Sequence, residues 1–363
     1  MSAAPRIALI MAGGTGGHVF PALAVARCLR ERGLTPVWLG TARGMESKLV
    51  LQHHIDMEFI TVSGVRGKGL LTALLAPLQL LRAVLQALTV MRRRKPVVVF
   101  GAGGFVSGPG GIAAWLMRRP LVIHEQNAIA GMTNRWLAHL AKRVYEAFPH
   151  SFARPALYVG NPVRREIAAI VAPALRFANR TDAIRVLVVG GSLGAQRLNA
   201  LVPAALALLQ ADERPQVIHQ AGEKNLATTQ AAYRDSKVEG ELRAFIDDMA
   251  AMYSWADLVI CRAGALTVSE LAAAGLPSLL IPFPAAVDDH QTHNAQFLVN
   301  AGAAILIQER ELTPQRLADA LHNLCVQGRA HLLQMAERAR EHAIVDADVR
   351  IADECLLLAG CAA

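Results

Sequence analysis

Short apolar runs alternate with segments of helical periodicity along the first half of the chain. Between the first two runs, "PALAVARCLRERG" places Leu23, Ala26 and Leu29 near one face of a helix that would end at Gly33. The apolar runs are rich in β-branched residues and read "IALIMA", "TPVWLG", "PVVVFGAGG", "PLVIHE" and "ALYVGNP". Strands that alternate with helices predict a parallel sheet that is covered by helices on both faces.

The same pattern starts again after a polar stretch without periodicity, "RFANRTDA", at residues 176–183. There "IRVLVVGGSLGAQRLN" repeats the opening order of strand, glycine turn and helix, and the later runs are "QVIHQAG", "DLVICRAG", "PSLLIPF" and "AAILI". We therefore predict an α/β protein of two Rossmann-like domains that face each other across a cleft. The predicted domains are residues 1–163 and 164–340, and a helix within residues 341–363 is expected to return to the first domain.

Three glycine-rich turns follow predicted strands, at residues 13–17, 101–111 and 190–195. Glycine lets backbone N–H groups face an anion at close range, and the helix that follows adds a partial positive charge. A single turn of this kind is equally typical of tight packing without a ligand, but three in one chain favour an anionic ligand. Val19 stands where a dinucleotide fingerprint needs its third glycine, and no turn continues into GKS or GKT, so NAD is disfavoured and a P-loop is excluded.

Composition narrows the class of protein further. Hydrophobic residues make up 53% of the 363 residues, and the formal net charge of +8 suits phosphates or an anionic membrane surface. Aromatic residues make up only 5%, which disfavours nucleic acid as a partner. The five cysteines include no CxxC pair, so neither a disulfide framework nor a zinc site is indicated. The sequence contains no uninterrupted run of 18 apolar residues, so no membrane-spanning helix is predicted.

A second anion site is indicated by "CRAGALTVSELAAAGLP", which begins at residue 261. A strand ends before Gly264 and a helix follows from Ala265, so the first N–H groups of that helix could cradle a diphosphate. Glu270, one turn further on, could accept hydrogen bonds from both hydroxyls of a ribose. Thr267 and Glu270 also match a capping box, which needs no ligand, and their spacing alone does not separate the two interpretations.

Six motifs together resemble the MurG family of glycosyltransferases, in that family's order over most of the chain. They are "GGTGGHVFPALAVA", "GGFVSGPGGIAA", "HEQNAIAGMTN", "GNPVR", "GGSLGAQ" and "GALTVSELAAAGLPSLLIPFP" with "DDHQTHNA" downstream. The resemblance implies the GT-B fold, and an inverting transfer of N-acetylglucosamine from UDP-GlcNAc to undecaprenyl-diphospho-muramoyl-pentapeptide (lipid I). It implies work at the cytoplasmic face of the plasma membrane, in peptidoglycan synthesis, with other cell-wall and division proteins as further candidate partners.

The resemblance also implies which residues bind the donor. Thr15, Gly16 and Gly17 match the turn that faces donor sugar and acceptor. Asn127 and Gln291 match donor-sugar contacts, and Arg164 and Ser192 match diphosphate contacts. Ile246 matches the residue whose backbone holds uracil. The phosphate and ribose segment is Ala265, Leu266, Thr267, Val268, Ser269 and Glu270, which favours the ribose role of Glu270. The chain departs at Leu193 and His290, where such families often have glutamine.

The acceptor hydroxyl must lose a proton, and His18 is the favoured general base because imidazole titrates near working pH. A histidine that only caps the helix or donates to a phosphate is the alternative. Glu125 is the rival base, with a structural partner for nearby backbone as its own alternative. Helix N-termini and Arg164 can stabilise the leaving diphosphate, and there is no DxD-like cluster among glycines, so we expect neither a metal nor a cofactor. A UDP-GlcNAc epimerase on the same fold is the alternative function, and a non-catalytic nucleotide-binding regulator is a third possibility.

The leucine-rich stretch at residues 69–95 is a candidate membrane contact. A crossover helix buried on the sheet would show the same periodicity, but the apolar arc is wider than one buried face requires. Basic residues flank the stretch, and Trp115 could sit at the same rim. We therefore predict peripheral attachment to anionic lipid, centred on Leu71, Leu74, Leu75 and Leu78.

Overall fold

The chain folds into two compact units, each built on one parallel sheet. The computed structural model describes residues 5–62, 70–191 and 195–361, with the side chains of residues 70–74 and 287 left out of the description. The first unit comprises Met1–Val163 and Ile344–Ala363, and the second comprises Arg164–Ala343.

Seven parallel strands form the sheet of the first unit, in the order β3-β2-β1-β4-β5-β6-β7. The strands are β1 (Ile7–Met11), β2 (Thr35–Gly40), β3 (Asp56–Phe59), β4 (Val98–Gly101), β5 (Leu121–Glu125), β6 (Arg143–Glu146) and β7 (Leu157–Tyr158). The helices that connect them are α1 (Gly16–Glu31), α2 (Glu46–Gln52), α3 (Leu70–Arg94), α4 (Ser107–Leu116) and α5 (Met132–Leu137).

Both faces of this sheet are buried. Ala8 and Ile10 of β1 belong to one apolar cluster, while Leu9 and Met11 belong to another. Successive side chains of a strand point to opposite faces, so the two clusters are the two sides of one sheet, each covered by helices.

The second unit has six parallel strands in the order β10-β9-β8-β11-β12-β13. They are β8 (Arg185–Val189), β9 (Gln216–Gln220), β10 (Glu241–Arg243), β11 (Leu258–Cys261), β12 (Ser278–Leu280) and β13 (Ala304–Leu306). The helices are α6 (Arg165–Ala168), α7 (Pro173–Phe177), α8 (Gln196–Leu208), α9 (Leu226–Asp235), α10 (Met249–Trp255), α11 (Ala265–Ala274), α12 (His290–Asn300), α13 (Pro314–Val326) and α14 (Gly328–Glu341). The predicted class, two doubly wound parallel α/β units, is confirmed.

The polar stretch at 176–183 is part of the second unit and not a linker before it. Phe177 is buried in the core of that unit, and Arg176 and Arg180 each lie over its ring. Arg180 also pairs with the buried Asp257. The polar residues therefore dock the stretch through cation–π contacts and an ion pair, which hydrophobic periodicity does not report.

A last helix, α15 (Ala347–Leu358), belongs to the first unit although it follows the second unit in the chain. It packs on α1, and Ile351 and Cys355 are fully buried in the same cluster as Leu29. The thiol of Cys28 donates to Asp348 Oδ2 at 3.1 Å. The C-terminal segment therefore completes the core on one face of the first sheet.

Helix α3 buries small residues and exposes several of the leucines whose side chains are described. Ala83, Ala87 and Met91 are fully buried, and α3 packs on α4. Leu75 and Leu78 are 44% and 64% exposed. The leucine-rich stretch is therefore buried only in part: Leu75 and Leu78 stay exposed, and the side chains of Leu71 and Leu74 lie outside the described residues.

Candidate active site

The first glycine turn joins β1 to α1 as predicted. Thr15 adopts extended backbone as the N-cap residue, and the helix begins at Gly16. His18 lies in the first turn of the helix, where its backbone N–H donates to the Thr15 carbonyl at 3.1 Å. Thr15, Gly16, Gly17 and His18 are thus presented together at the carboxyl end of a buried central strand, where ligands of parallel sheets bind.

The second glycine turn packs against the first one. Gly103 has φ +93°, and a Cβ there would lie 2.9 Å from His18 Nδ1. A Cβ on Gly104, at φ +83°, would collide with the Gly13 carbonyl. These two glycines therefore permit contact between two turns, which differs from the expectation that each turn approaches an anion.

The rest of that motif is helical. Helix α4 starts at Ser107, so Gly108, Gly110 and Gly111 lie inside a helix and not in a turn. A Cβ on Gly111 would collide with the side chain of Leu137, and one on Gly110 with that of Met11. Close packing of α4 on its neighbours explains these glycines without a ligand.

His18 is the end of a buried chain of hydrogen bonds. Its Nδ1 lies 2.7 Å from Gln126 Oε1, and Gln126 Nε2 lies 3.1 Å from His124 Nδ1. His124 Nε2 lies 2.9 Å from the Gly160 carbonyl. Burial lowers the pKa of His124 to about 4, so this ring is neutral at physiological pH. One chain of hydrogen bonds thus joins residues from β1–α1, from the end of β5 and from the loop after β7.

Glu125, the rival base, holds the loop that follows β5. The carboxylate is buried, and Oε1 accepts from the backbone N–H and the side-chain amide of Asn127 at 3.0 and 3.2 Å. Oε2 accepts from the Gly131 N–H at 3.1 Å and from Asn134 Nδ2 at 2.9 Å. Both oxygens are engaged by the loop, so the geometry favours His18 over Glu125 as the base.

In the second unit, α11 starts and stops where the sequence predicts. Gly264 is its N-cap, without a side-chain cap, and Gly275 ends it in the left-handed region at φ +60°. The first intrahelical bond runs from the Val268 N–H to the Gly264 carbonyl at 2.9 Å. The N–H groups of the three preceding residues, Ala265, Leu266 and Thr267, therefore have no partner in the helix itself and point toward its N-terminal end.

The capping-box interpretation of Glu270 is wrong. Thr267 is the third residue of α11 and not its N-cap, so Glu270 lies too deep in the helix to close such a box. The carboxylate instead meets Arg164, whose Nε and Nη2 lie 2.9 and 3.2 Å from Oε1 and Oε2. Burial raises the pKa of the Glu270 carboxyl, and the hydrogen bonds from Arg164 oppose that rise.

The other predicted donor residues are placed as follows. Ile246 is buried in the segment between β10 and α10. Gln291 is in the first turn of α12, and its Oε1 accepts from the Phe283 N–H at 2.9 Å. Ser269 donates from its hydroxyl to the Ala265 carbonyl at 3.0 Å. Ser192 lies outside the described residues.

Two further contributors were not predicted from the sequence. Gln126 is one of them, and a polar residue directly after a buried strand is the signal that could have identified it. Glu46 is fully buried and accepts from the backbone N–H of Gly14 at 3.3 Å and of Thr41 at 3.0 Å. It therefore fixes the first glycine turn from a point 32 residues away, which no local pattern marks.

The described residues contain neither a metal-ligand cluster nor a membrane-spanning helix. In 5–62, 70–191 and 195–361, no group of three or more His, Cys, Asp or Glu side chains is arranged to hold a metal ion. Within the same ranges, no helix is long and apolar enough to cross a bilayer.

The fold and these residues define a glycosyltransferase. The glycosyltransferase family 28 N-terminal domain matches residues 8–146, and the family 28 C-terminal domain matches residues 185–351. Solved glycosyltransferases at low identity share the fold, as for CalG4, the calicheamicin glycosyltransferase, with a TM-score of 0.70 at 15% identity over 98% of this chain and 99% of that one.

Relatives at high identity narrow the class. The UDP-N-acetylglucosamine--N-acetylmuramyl-(pentapeptide) pyrophosphoryl-undecaprenol N-acetylglucosamine transferase of Marinobacter nauticus is 57% identical over 96% of both chains. The protein of the same name from Ralstonia nicotianae is 55% identical over 98% of this chain and 97% of its own. The crystal structure of Acinetobacter baumannii MurG superimposes with a TM-score of 0.86, at 41% identity, over 97% of this chain and 100% of that one. The chain belongs to the MurG family of N-acetylglucosamine transferases, as its motifs predict.

Proposed function

We propose that this chain transfers N-acetylglucosamine from UDP-GlcNAc to the undecaprenyl-diphospho-muramoyl-pentapeptide acceptor, lipid I, and so forms lipid II for peptidoglycan synthesis. The observation that carries the proposal is the 57% identity over 96% of both chains with a transferase named for these substrates. Individual residues take the following roles in this transfer.

The second unit holds the donor in this proposal. The free N–H groups at the start of α11 and the guanidinium of Arg164 meet the diphosphate, whose negative charge grows as it leaves. Ser192 adds a further diphosphate contact, Ile246 holds uracil through its backbone, and Gln291 contacts the sugar. This arrangement stabilises the leaving group through fixed dipoles and one cation.

Glu270 binds the ribose while it remains paired with Arg164. Each carboxylate oxygen has two lone-pair directions, and Arg164 occupies one on each oxygen. The remaining directions can accept from the two ribose hydroxyls. The ion pair keeps the buried carboxylate ionised, and an ionised carboxylate accepts from both hydroxyls at once.

The first unit supplies the base. His18 takes the proton of the acceptor hydroxyl as that oxygen attacks the anomeric carbon and the bond to UDP breaks. Glu125 acts on the loop that carries Asn127, which contacts the donor sugar. The transfer is inverting because a single displacement turns the anomeric configuration over.

An assay of UDP release with and without acceptor tests this function. We expect UDP release from UDP-GlcNAc only when lipid I is present, with turnover largely intact in EDTA. Conversion of UDP-GlcNAc to an isomeric UDP-sugar without any acceptor would favour the epimerase, which the names of the relatives do not. A loss of turnover in EDTA that magnesium restores would contradict the metal-free leaving-group stabilisation.

An exposed apolar surface on the first unit supports peripheral attachment to the membrane. Leu78, Leu81 and Leu85 of α3 are more than half exposed, as is Trp115 of α4, which packs on α3. Trp136 of α5 is 72% exposed and was not predicted from the sequence. Large apolar patches that stay exposed mark interaction sites, and we propose the cytoplasmic leaflet as the partner.

Part of the predicted basic rim is neutralised within the fold. Arg93 and Arg94 both pair with Glu58, and Arg94 also reaches Asp56 at 3.4 Å. The hydrogen bond that Arg94 donates to the Glu58 carboxylate raises the pKa of Arg94. The attraction to anionic lipid is therefore expected to come from other exposed basic residues near the patch, such as Arg118 of the turn after α4.

Vesicle flotation tests the attachment. Replacement of Leu75 and Leu78 by serine should reduce binding to anionic vesicles, and high salt should weaken binding of the unaltered chain. Leu175→Ser is the matched control, since Leu175 is 71% exposed but lies in the second unit. Equal binding to neutral and anionic vesicles, or full binding of the doubly substituted folded protein, would rule this surface out. Links to cell shape, cell division and their protein machinery follow only if the product is lipid II.

A further inference from the structure

Three side chains and one carbonyl form a chain with a fixed direction. It runs from His18 Nδ1 to Gln126 Oε1, from Gln126 Nε2 to His124 Nδ1, and from His124 Nε2 to the Gly160 carbonyl. The three distances are 2.7, 3.1 and 2.9 Å, all within hydrogen-bond range.

The direction follows from the end of the chain at a carbonyl. The Gly160 oxygen can only accept, so His124 Nε2 carries a hydrogen. His124 is fully buried and neutral, because burial lowers its pKa to about 4, so its Nδ1 is an acceptor. Gln126 must then present its NH₂ group to His124 and its oxygen to His18.

The same logic settles the tautomer of His18. The Gln126 oxygen accepts, so His18 Nδ1 carries the hydrogen and Nε2 carries the lone pair. A glutamine with its amide reversed would donate to Nδ1 and leave the hydrogen on Nε2, so Nε2 could not take the proton of the acceptor hydroxyl.

The amide of Gln126 is held by more than one contact. Its Nε2 also donates to the His124 carbonyl at 3.2 Å, and its backbone carbonyl accepts from Asn161 Nδ2 at 3.0 Å. Gln126 is buried. Gly103 also lies against the His18 ring, because a Cβ there would come within 2.9 Å of Nδ1. The imidazole is therefore fixed by a polar contact and by close backbone.

We infer that Gln126 and His124 are positioning residues that set the tautomer of His18 and leave Nε2 as the basic nitrogen. The inference rests on the proposed function. In the transfer, the acceptor hydroxyl proton moves to Nε2 while the new C–O bond forms and the bond to UDP breaks. The imidazolium keeps its Nδ1 hydrogen on the Gln126 oxygen.

A pair of substitutions at Gln126 separates positioning from packing. Gln126→Met keeps the length of the side chain but removes both polar atoms. Gln126→Glu keeps a side-chain oxygen that can accept from His18 Nδ1. We expect Q126M to lower kcat by about 10-fold to 100-fold with the KM for UDP-GlcNAc within about 2-fold of the original value, and Q126E to recover most of that loss.

The tautomer itself is read by ¹⁵N NMR of the histidine rings, with His18→Ala to assign the signals. We expect a protonated Nδ1 and an unprotonated Nε2 on His18 in the unaltered chain at pH 8, and a mixture in Q126M. A protonated Nε2 in the unaltered chain overturns the inference, whether or not any variant folds. So does a Q126M protein that keeps kcat within 2-fold.

Failure of the proposed function gives a different result. A chain that releases no UDP with lipid I but shows the expected His18 tautomer would contradict the transferase and leave the positioning role standing. The reverse result, an active enzyme with the other tautomer, would contradict only the positioning role.

Discussion

Glu270 and Arg164 form an ion pair although they are 106 residues apart in the sequence. Each of them separately matches a family motif, and the sequence therefore predicts their contact with a ligand. Their contact with one another depends on where α6 and α11 lie, which a pattern of apolar positions does not fix. The side-chain partner of a buried carboxylate is decided by tertiary structure, so a local pattern such as a capping box was a wrong guide.

Replacement of Glu270 by glutamine tests the ribose role. The variant loses the charge-assisted pair and one acceptor, and we expect UDP to bind more weakly by about 1.5–3 kcal/mol in titration calorimetry. Glu241→Gln is the control, because Glu241 also pairs with an arginine but is 56% exposed in its side chain. A Glu270 variant with unchanged UDP affinity and a lower Tm would mean that this carboxylate serves only the fold.

The chain His18–Gln126–His124 shows what the sequence could and could not reveal about the proposed base. A histidine after a glycine turn marks His18 as the candidate. Gln126 and His124 alternate along the end of a strand whose side chains are all buried, so their polarity needed partners. Which partners they have follows only once the turns after β1 and β5 are in place.

At the scale of elements, a substitution in the turn after β4 can test the contact between this turn and the turn after β1. Gly103→Ala places a Cβ against the His18 ring and keeps a backbone conformation that alanine disfavours. We expect kcat to fall at least 10-fold, with a loss of stability of about 1–2 kcal/mol in urea unfolding.

Gly33→Ala is the matched control for that substitution. Gly33 has φ +87° and nothing within 4 Å of its Cβ position, so it carries the same backbone strain without the contact to His18. An equal loss of kcat in both variants would show that backbone strain, and not contact with the imidazole, is the cause.

In helix α3, periodicity alone could not separate a buried leucine stripe from an exposed one. The residues that α3 buries include Ala83, Ala87 and Met91, and α3 packs on α4. Leucine is highly hydrophobic, so a pattern of apolar positions fits a core face as well as an exposed one. The direction of an amphipathic helix thus depends on how near its neighbour lies as well as on which stripe is more apolar.

At the scale of the whole molecule, alternation of apolar runs and helices was enough to predict the fold class. Each of the runs quoted above contains a strand. The strands that were not predicted are β3, β6 and β10, which are short and carry charged residues. β3 and β10 lie at sheet edges, where a strand needs less apolar surface and so leaves a weaker signal.

Each unit contains a buried neutral histidine, and together they predict how stability depends on pH. His124 belongs to the first unit and His219 to the second, and burial lowers the pKa of each to about 4. The unfolded chain takes up these protons near pH 6.5, so stability is full above that pH and falls as the pH drops toward 4. At pH 5 each histidine should cost about 2 kcal/mol of unfolding free energy.

Urea unfolding at pH 7.5 and pH 5 measures this loss. His219→Gln should reduce the difference between the two pH values, because glutamine does not titrate. His139→Gln is the control at an exposed histidine and should leave the difference unchanged. An unfolding free energy that is the same at both pH values in the unaltered chain would contradict the prediction.

The position of α15 also determines the order in which the two units can complete their cores during synthesis. The second unit is one continuous segment and is complete once residue 343 has emerged. The first unit begins earlier, yet its core lacks Ile351 and Cys355 until α15 has been synthesised as well. Domains that are continuous in sequence mature in the order of synthesis. The first unit therefore keeps the apolar surface of α1 uncovered until α15 is available. It begins to be synthesised first but completes its core after the second unit.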